Sequence, residues 1–151
     1  MTLPLILTAS AALENGDAAL AALGFRHAFD EPPEVIMQSI PCSVRFPEPA
    51  DQLHGSRLLG RYNIHNFKIE FHMARGVLHS AVALALPYIK AVQDLYTKNL
   101  TIGGTCTVSG FRSPAYEGPV EVRYGSGQPI TIAIIFYMWA KEILQDITVS
   151  L

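Results

Sequence analysis

Between residues 130 and 139 the chain reads ITIAIIFYMW, a run in which both alternating faces are apolar. Successive side chains of an extended strand point to opposite sides. Ile130, Ile132, Ile134, Phe136 and Met138 therefore share one face, and Ala133, Ile135, Tyr137 and Trp139 the other. Such a strand belongs inside a domain, because each large apolar side chain left in water forgoes about 1.5–3 kcal/mol, and both faces require a cover. One cover is expected from helices that follow Gly76. The other is expected from a second layer or a neighbouring subunit.

The remaining segments supply sheet partners and helices. Residues 9–23 are alanine-rich with helical spacing, interrupted at Asn15-Gly16-Asp17, where Asp17 can cap a second, shorter helix that Gly24 stops. Asp30-Glu31-Pro32-Pro33 reads as a rigid linker. Residues 41–46, PCSVRF, alternate apolar and polar positions as a half-buried strand does, and residues 47–60 read as a surface loop. In the next strand Phe67, Ile69, Phe71 and Met73 face the core, and Asn66, Lys68, Glu70 and His72 face outward. After Gly76 an apolar stripe at three- and four-residue spacing predicts helix, with a break expected at Pro87 because proline suits the first turn of a helix better than its middle. The last third predicts antiparallel strands at 105–111, 120–124 and 130–139, with a turn at 115–118 and a hairpin loop at 125–127. The pattern is that of an α+β protein, a mostly antiparallel sheet flanked by helices. One domain spans residues 1–151: a helical segment over 1–30, then the sheet and helix core over 31–146.

Composition and spacing narrow the function. Half of the 151 residues are apolar, enough for a core that needs no metal or disulfide, and a net charge of −2 gives no basic field for tight nucleic-acid binding. Cys42 and Cys106 have no CxxC spacing and fit reduced thiols, Cys106 as a small buried hydrophobe within a strand. The apolar start, MTLPLILTASAA, lacks a preceding Lys or Arg and reads as mature sequence, and no stretch has the roughly 20 apolar residues of a membrane span. His65, His72 and His79 recur every seven residues, yet His65 and His72 fall on opposite faces of one strand, about 23 Å apart along it, and His79 lies in the helix beyond. They do not converge on a metal. The order helix, Asn99 to Gly104, strand is the reverse of a phosphate-binding loop. No nucleophile elbow or paired carboxylates occur, so no catalytic, metal or cofactor residues are assigned and the chain is not expected to be an enzyme.

Taken in order, "IPCSVRFPEP", "YNIHNFKIEFHMARG", "ALPYIKAVQDLYTKNLTIGGT" and "YGSGQPITIAIIFYMWAKEI" resemble the tail-terminator proteins of long-tailed, non-contractile phages, over residues 32–143. The resemblance implies a structural virion protein and a ring-forming subunit: a homo-hexamer that caps the tail tube, ends its polymerisation and meets the head connector. Its implied partners are its own copies, the tail tube protein and the head connector protein. DNA passes through the lumen without sequence-specific binding, no membrane is involved, and no cofactor is needed. Its implied place is the tail or neck of the virion, assembled in the host cytoplasm. Candidate contact residues are Arg57 and Arg112 in the loop and turn between strands, Tyr116 and Glu117 beside Arg112, and Ile135 and Tyr137 on the second face of the long strand. The alternatives are a head–tail connector at another level of the neck, or a small α+β ligand-binding domain or enzyme with an unrecognised site.

Overall fold

A computed structural model describes residues 2–48 and 61–145. In chain order the elements are α1 (Thr2–Asn15), α2 (Ala18–Ala22), β1 (His27–Phe29), β2 (Cys42–Pro47), β3 (Arg61–Ala74), α3 (Leu78–Lys98), β4 (Val108–Arg123) and β5 (Ile130–Gln145). The strands form one sheet in the order β1-β2-β3-β5-β4. It is antiparallel except for the β1–β2 pair. This is a single α+β domain, as the alternation of periods predicts.

β5 lies between β3 and β4, where a strand with two apolar faces belongs. Its even-numbered side chains Ile132, Ile134, Phe136 and Met138 are fully buried with Phe67, Ile69 and Phe71 of β3 beneath α3. Ring contacts of Phe71 with Phe136 at 5.6 Å and with Tyr88 of α3 at 6.0 Å join sheet to helix. Ile130, at the strand's start, is 38% exposed and does not join them. Asp17 caps α2 by accepting from the Leu20 N–H at 3.0 Å, and Gly24 follows it at a φ of +90°.

α3 corrects the expected break at Pro87, running unbroken with that proline inside it. Pro87 lies on the exposed side, where the carbonyl deprived of its helical donor can turn to water. α1 begins at Thr2, seven residues earlier than the alanine spacing indicates, and packs Ile6 into the core. Residues 27–29, within the segment read as helical, add a strand to the sheet edge. The turn expected at 115–118 is not a chain reversal. β4 is one edge strand, and register shifts between Phe111 and Tyr116 and between Glu117 and Val120 absorb Pro114 and Gly118-Pro119. These are bulges, which share their residue preferences with turns. Cys106 is buried as expected, but in the turn before β4 and not in a strand.

β2 brings the largest correction. Ser43 and Arg45, read as its solvent side, are both fully buried under α1. Arg45 Nη2 donates to Glu14 at 2.5 Å, Nη1 donates to the Phe29 carbonyl at 2.8 Å, and the Ser43 hydroxyl donates to the same Glu14 oxygen at 2.5 Å. The Tyr96 hydroxyl donates to the other Glu14 oxygen. Burial opposes the Arg45 charge, but the Glu14 carboxylate holds the guanidinium protonated. Burial and that carboxylate together push the Tyr96 phenol well above its ordinary value. One carboxylate thus ties α1, β2 and α3 together and accepts from three buried side chains, leaving Arg45 Nε as the one atom of the guanidinium without a hydrogen bond.

Candidate functional site on the open sheet face

Among the described residues the helices cover one face of the sheet. On the other, the odd-numbered side chains of β5 lie beside the even-numbered ones of β3: His72 opposite Ala133, Glu70 opposite Ile135, Lys68 opposite Tyr137 and Asn66 opposite Trp139. This face has two halves. At the β1–β2 end, Ile36 packs with Cys42 and Val44, flanked by Phe29, Ile40, Phe46 and Tyr124, and the Tyr124 hydroxyl donates to the Pro33 carbonyl. That end is closed. Toward β4 the cover stops, and Ile135, Tyr137 and Trp139 are each only partly buried.

The closed half holds a row of groups that resembles a catalytic chain. His72 Nδ1 lies 2.7 Å from Thr131 Oγ1 and its Nε2 2.9 Å from Glu70 Oε1, a hydroxyl–imidazole–carboxylate sequence. Thr131 and His72 are fully buried, however, so no substrate reaches the hydroxyl. Burial alone would raise the Glu70 carboxyl, but hydrogen bonds from His72 and Lys68 outweigh it and hold the group below its ordinary value. Cys42, across the ladder from His72, is pushed up to about 12 by burial and is inert as a thiolate nucleophile. The row is a structural tie between β3 and β5. His72 was expected on the polar face as a solvated or hydrogen-bonded side chain; it is hydrogen-bonded, and the segment around Ile36 and Tyr124 buries it.

The open half is aromatic with a charged rim. Trp139 lies against Gly110 of β4, where even a Cβ would come within 2.8 Å of the indole. Only glycine admits the ring there. Lys141 Nζ sits 4.4 Å over the Tyr62 ring, and the Arg112 guanidinium 5.3 Å over that of Tyr137. Between them is a shallow hollow of about 370 Å³ lined by Tyr62, Ile64, Asn66, Arg112, Trp139 and Lys141. A second hollow of about 310 Å³, on the far side of Arg112, is bordered by Glu48, Glu117 and Tyr137. The rim charges are largely paired: Arg112 with Glu48, and Lys68 with Glu70 at 3.0 Å. Burial and the bond to Glu117 raise the Tyr137 phenol, which stays a neutral donor.

Four of the six candidate contact residues meet here. Glu117 pairs with Ile135, accepts from the Tyr137 hydroxyl at 3.1 Å, and Arg112 covers the Tyr137 ring. Tyr116 points to the helix side, its ring 6.0 Å from that of Phe136. Arg57 lies outside the described residues. Trp139, Tyr62 and Lys141 were not singled out as contacts, although the alternation that selects Ile135 and Tyr137 equally selects Trp139. His65 bonds Glu142 at 2.9 Å at the far end of β3, and His79 is exposed on α3. Among the described residues no three His, Cys, Asp or Glu side chains converge, and no helix is long and apolar enough to cross a membrane. No protein-family model matches the chain, and no curated protein matches it in sequence.

Proposed function

We propose that this chain is a structural subunit of a phage tail, a tail terminator that closes into a homo-hexameric ring on the end of the tail tube and presents its other surface to the head connector. The observation that carries the proposal is the unequal cover of β5. Its helix-facing side chains are sealed, whereas Ile135, Tyr137 and Trp139 keep part of their surface in water in the isolated chain. A neighbouring copy would complete that cover. Aromatic side chains ringed by paired charges suit the centre of a protein–protein contact. The order of motifs along the chain, described above, supplies the resemblance to tail terminators, and the ring lumen would pass DNA without reading it.

Size-exclusion chromatography with light scattering, followed by negative-stain imaging, tests the reading. A six-membered ring with a central hole is expected, and it should bind purified tail tubes in preference to filled heads. A monomer at all concentrations overturns the ring. Binding to filled heads alone moves the protein to the connector level of the neck.

A further inference from the structure

A ring built from one kind of contact needs a second surface, on another side of the subunit, that fits the first. The sheet edges do not offer it. At the free edge of β1, the Asn15 side chain takes both backbone groups of Ala28, accepting from its N–H at 2.8 Å and donating to its carbonyl at 3.2 Å. At the free edge of β4, two bulges and two prolines interrupt the row of donors. Both devices discourage strand addition.

The helix layer does offer a surface. Between Arg75 and Lys90 the chain has no Asp, Glu, Lys or Arg, although α3 carries charges freely after that point. The outward side of this stretch shows Ser80, Ala83, Leu84, Leu86 and Pro87 to water, with Leu84 72% and Leu86 50% exposed. Beside Leu84 lies a crevice of about 150 Å³ bounded by Leu23, Ile40, Pro41, Met73 and Tyr88, again without a charged side chain. A charge-free apolar strip of this kind is characteristic of the core of an interface.

We infer that this outer strip of α3 is the second half of the subunit contact, and that its occupant is the open sheet face of another copy, with Leu84 and the side chains that share its helical face, Ser80, Ala83 and Pro87, set against Ile135, Tyr137 and Trp139. The inference rests on the ring reading and names its surfaces. Three observations favour a second copy. The α3 strip from Ser80 to Pro87 is about 10.5 Å long at the helical rise, and fits within the span of about 13.5 Å from Ile135 to Trp139 at the strand rise. The two match in charge, since an uncharged helix strip would meet an uncharged strand strip, beside which Arg112 is paired with Glu48 and Lys68 with Glu70 while Lys141 lies over the Tyr62 ring. They also lie on opposite sides of the molecule, because α3 covers one sheet face with Ala81, Ala85, Tyr88, Val92 and Leu95 and leaves Leu84 exposed. Contacts between opposite sides run head to tail, the arrangement that rings use. Docked in this way, β5 would have a helix on each face, as a strand apolar on both sides requires.

Trp139 is the sole tryptophan and sits on the sheet face, so its emission reports a change made on α3 only through contact between molecules. Leu84→Glu, at an exposed helical position, should leave the circular dichroism unchanged, abolish rings on sizing, and red-shift Trp139 emission to the position wild type reaches on dilution. Ile135→Lys should abolish rings as well. An equimolar mixture of the two variants should give a dimer that grows no further, because one retains a working sheet face and the other a working α3 strip. Rings from Leu84→Glu with unshifted emission overturn the inference while leaving the ring reading intact. Stable dimers of either variant alone overturn it too, since each face would then pair with itself. Wild type that never assembles defeats the ring reading, and this inference with it.

Discussion

Removing the Glu14 carboxylate should destabilise the protein severely, although nothing about it is visible on the surface. In Glu14→Ala the Arg45 guanidinium, fully buried, loses its 2.5 Å partner and keeps only the Phe29 carbonyl and the Ser43 hydroxyl. The hydroxyls of Ser43 and Tyr96 lose their acceptor in the same step. Breaking one side of a buried ion pair costs about 3–5 kcal/mol, against a total stability of about 5–15 kcal/mol for a domain of this kind. The unfolding constant should therefore rise by about two to three and a half orders of magnitude. Removing both charges together with the Tyr96 hydroxyl should behave differently. The triple variant Glu14→Leu, Arg45→Met, Tyr96→Phe leaves no buried charge without a partner and should recover most of the loss, because a buried ion pair is worth little more than well-packed apolar groups of similar volume. Urea denaturation followed by circular dichroism measures both. The reasoning fails if Glu14→Ala costs less than about 1 kcal/mol, the size of an ordinary substitution, or if the triple variant is as unstable as the sum of its parts.

Ile132→Asp or Ile134→Asp places an unpaired carboxylate at a fully buried site under α3, at a cost of several kcal/mol, and neither chain should show folded circular dichroism. Gly118 has a φ of +104°, and an added Cβ would lie 2.5 Å from the Ala133 carbonyl oxygen. Gly118→Ala should therefore lower the melting temperature by a strain of at least about 1–3 kcal/mol, whereas Gly127→Ala, which meets no neighbour, should suffer only from its own positive φ. The Glu70 carboxyl is held below its ordinary value of 4.5 by hydrogen bonds from His72 and Lys68 that outweigh its burial, so its contribution to stability is fully present above that unfolded value and is lost as the pH falls through the lower folded value. Glu70→Gln should flatten the stability curve in that acid window, as measured by urea midpoints from pH 6 down to about pH 3, and an unchanged slope would show that the carboxylate is not stabilised there.

The central sheet was legible because β3 and β5 repeat their apolar residues with period two, and that period survives any tertiary context that buries one face. Arg45 was not. A charged residue between Val44 and Phe46 has the local pattern of an exposed position, and what reverses it is Glu14, thirty-one residues earlier on a helix that crosses the same strand. The burial of His72 was missed for the same reason: its neighbours in sequence put it correctly on the outer face, and a segment separated from it by a long stretch of chain closes that face. Pro114 and Gly118-Pro119 announce a chain reversal or a bulge equally well. Only the length of β5, which needs a partner along its whole course, decides between them.

Of the candidate contacts, those on β5 and their neighbours on β4 came together because register makes them neighbours: once Glu117 stands opposite Ile135, Arg112 and Tyr137 are within reach of one another. Tyr116 fell on the other side because adjacent strand residues alternate, so Tyr116 and Glu117 could never have shared a face. The same alternation explains why the open half of this face is aromatic and not merely polar. Ile135, Tyr137 and Trp139 follow one another at every second position, beyond the reach of the cover formed by Ile36 and Tyr124. Those three positions need only side chains that tolerate water for the chain to fold, and polar residues would serve. On the ring proposal, the apolar ones serve a surface that docks after folding. With Asn15 closing one edge of the sheet and the bulges of β4 interrupting the other, docking on that proposal would use the faces, with one partner on each side, and would not run on as a continuous sheet.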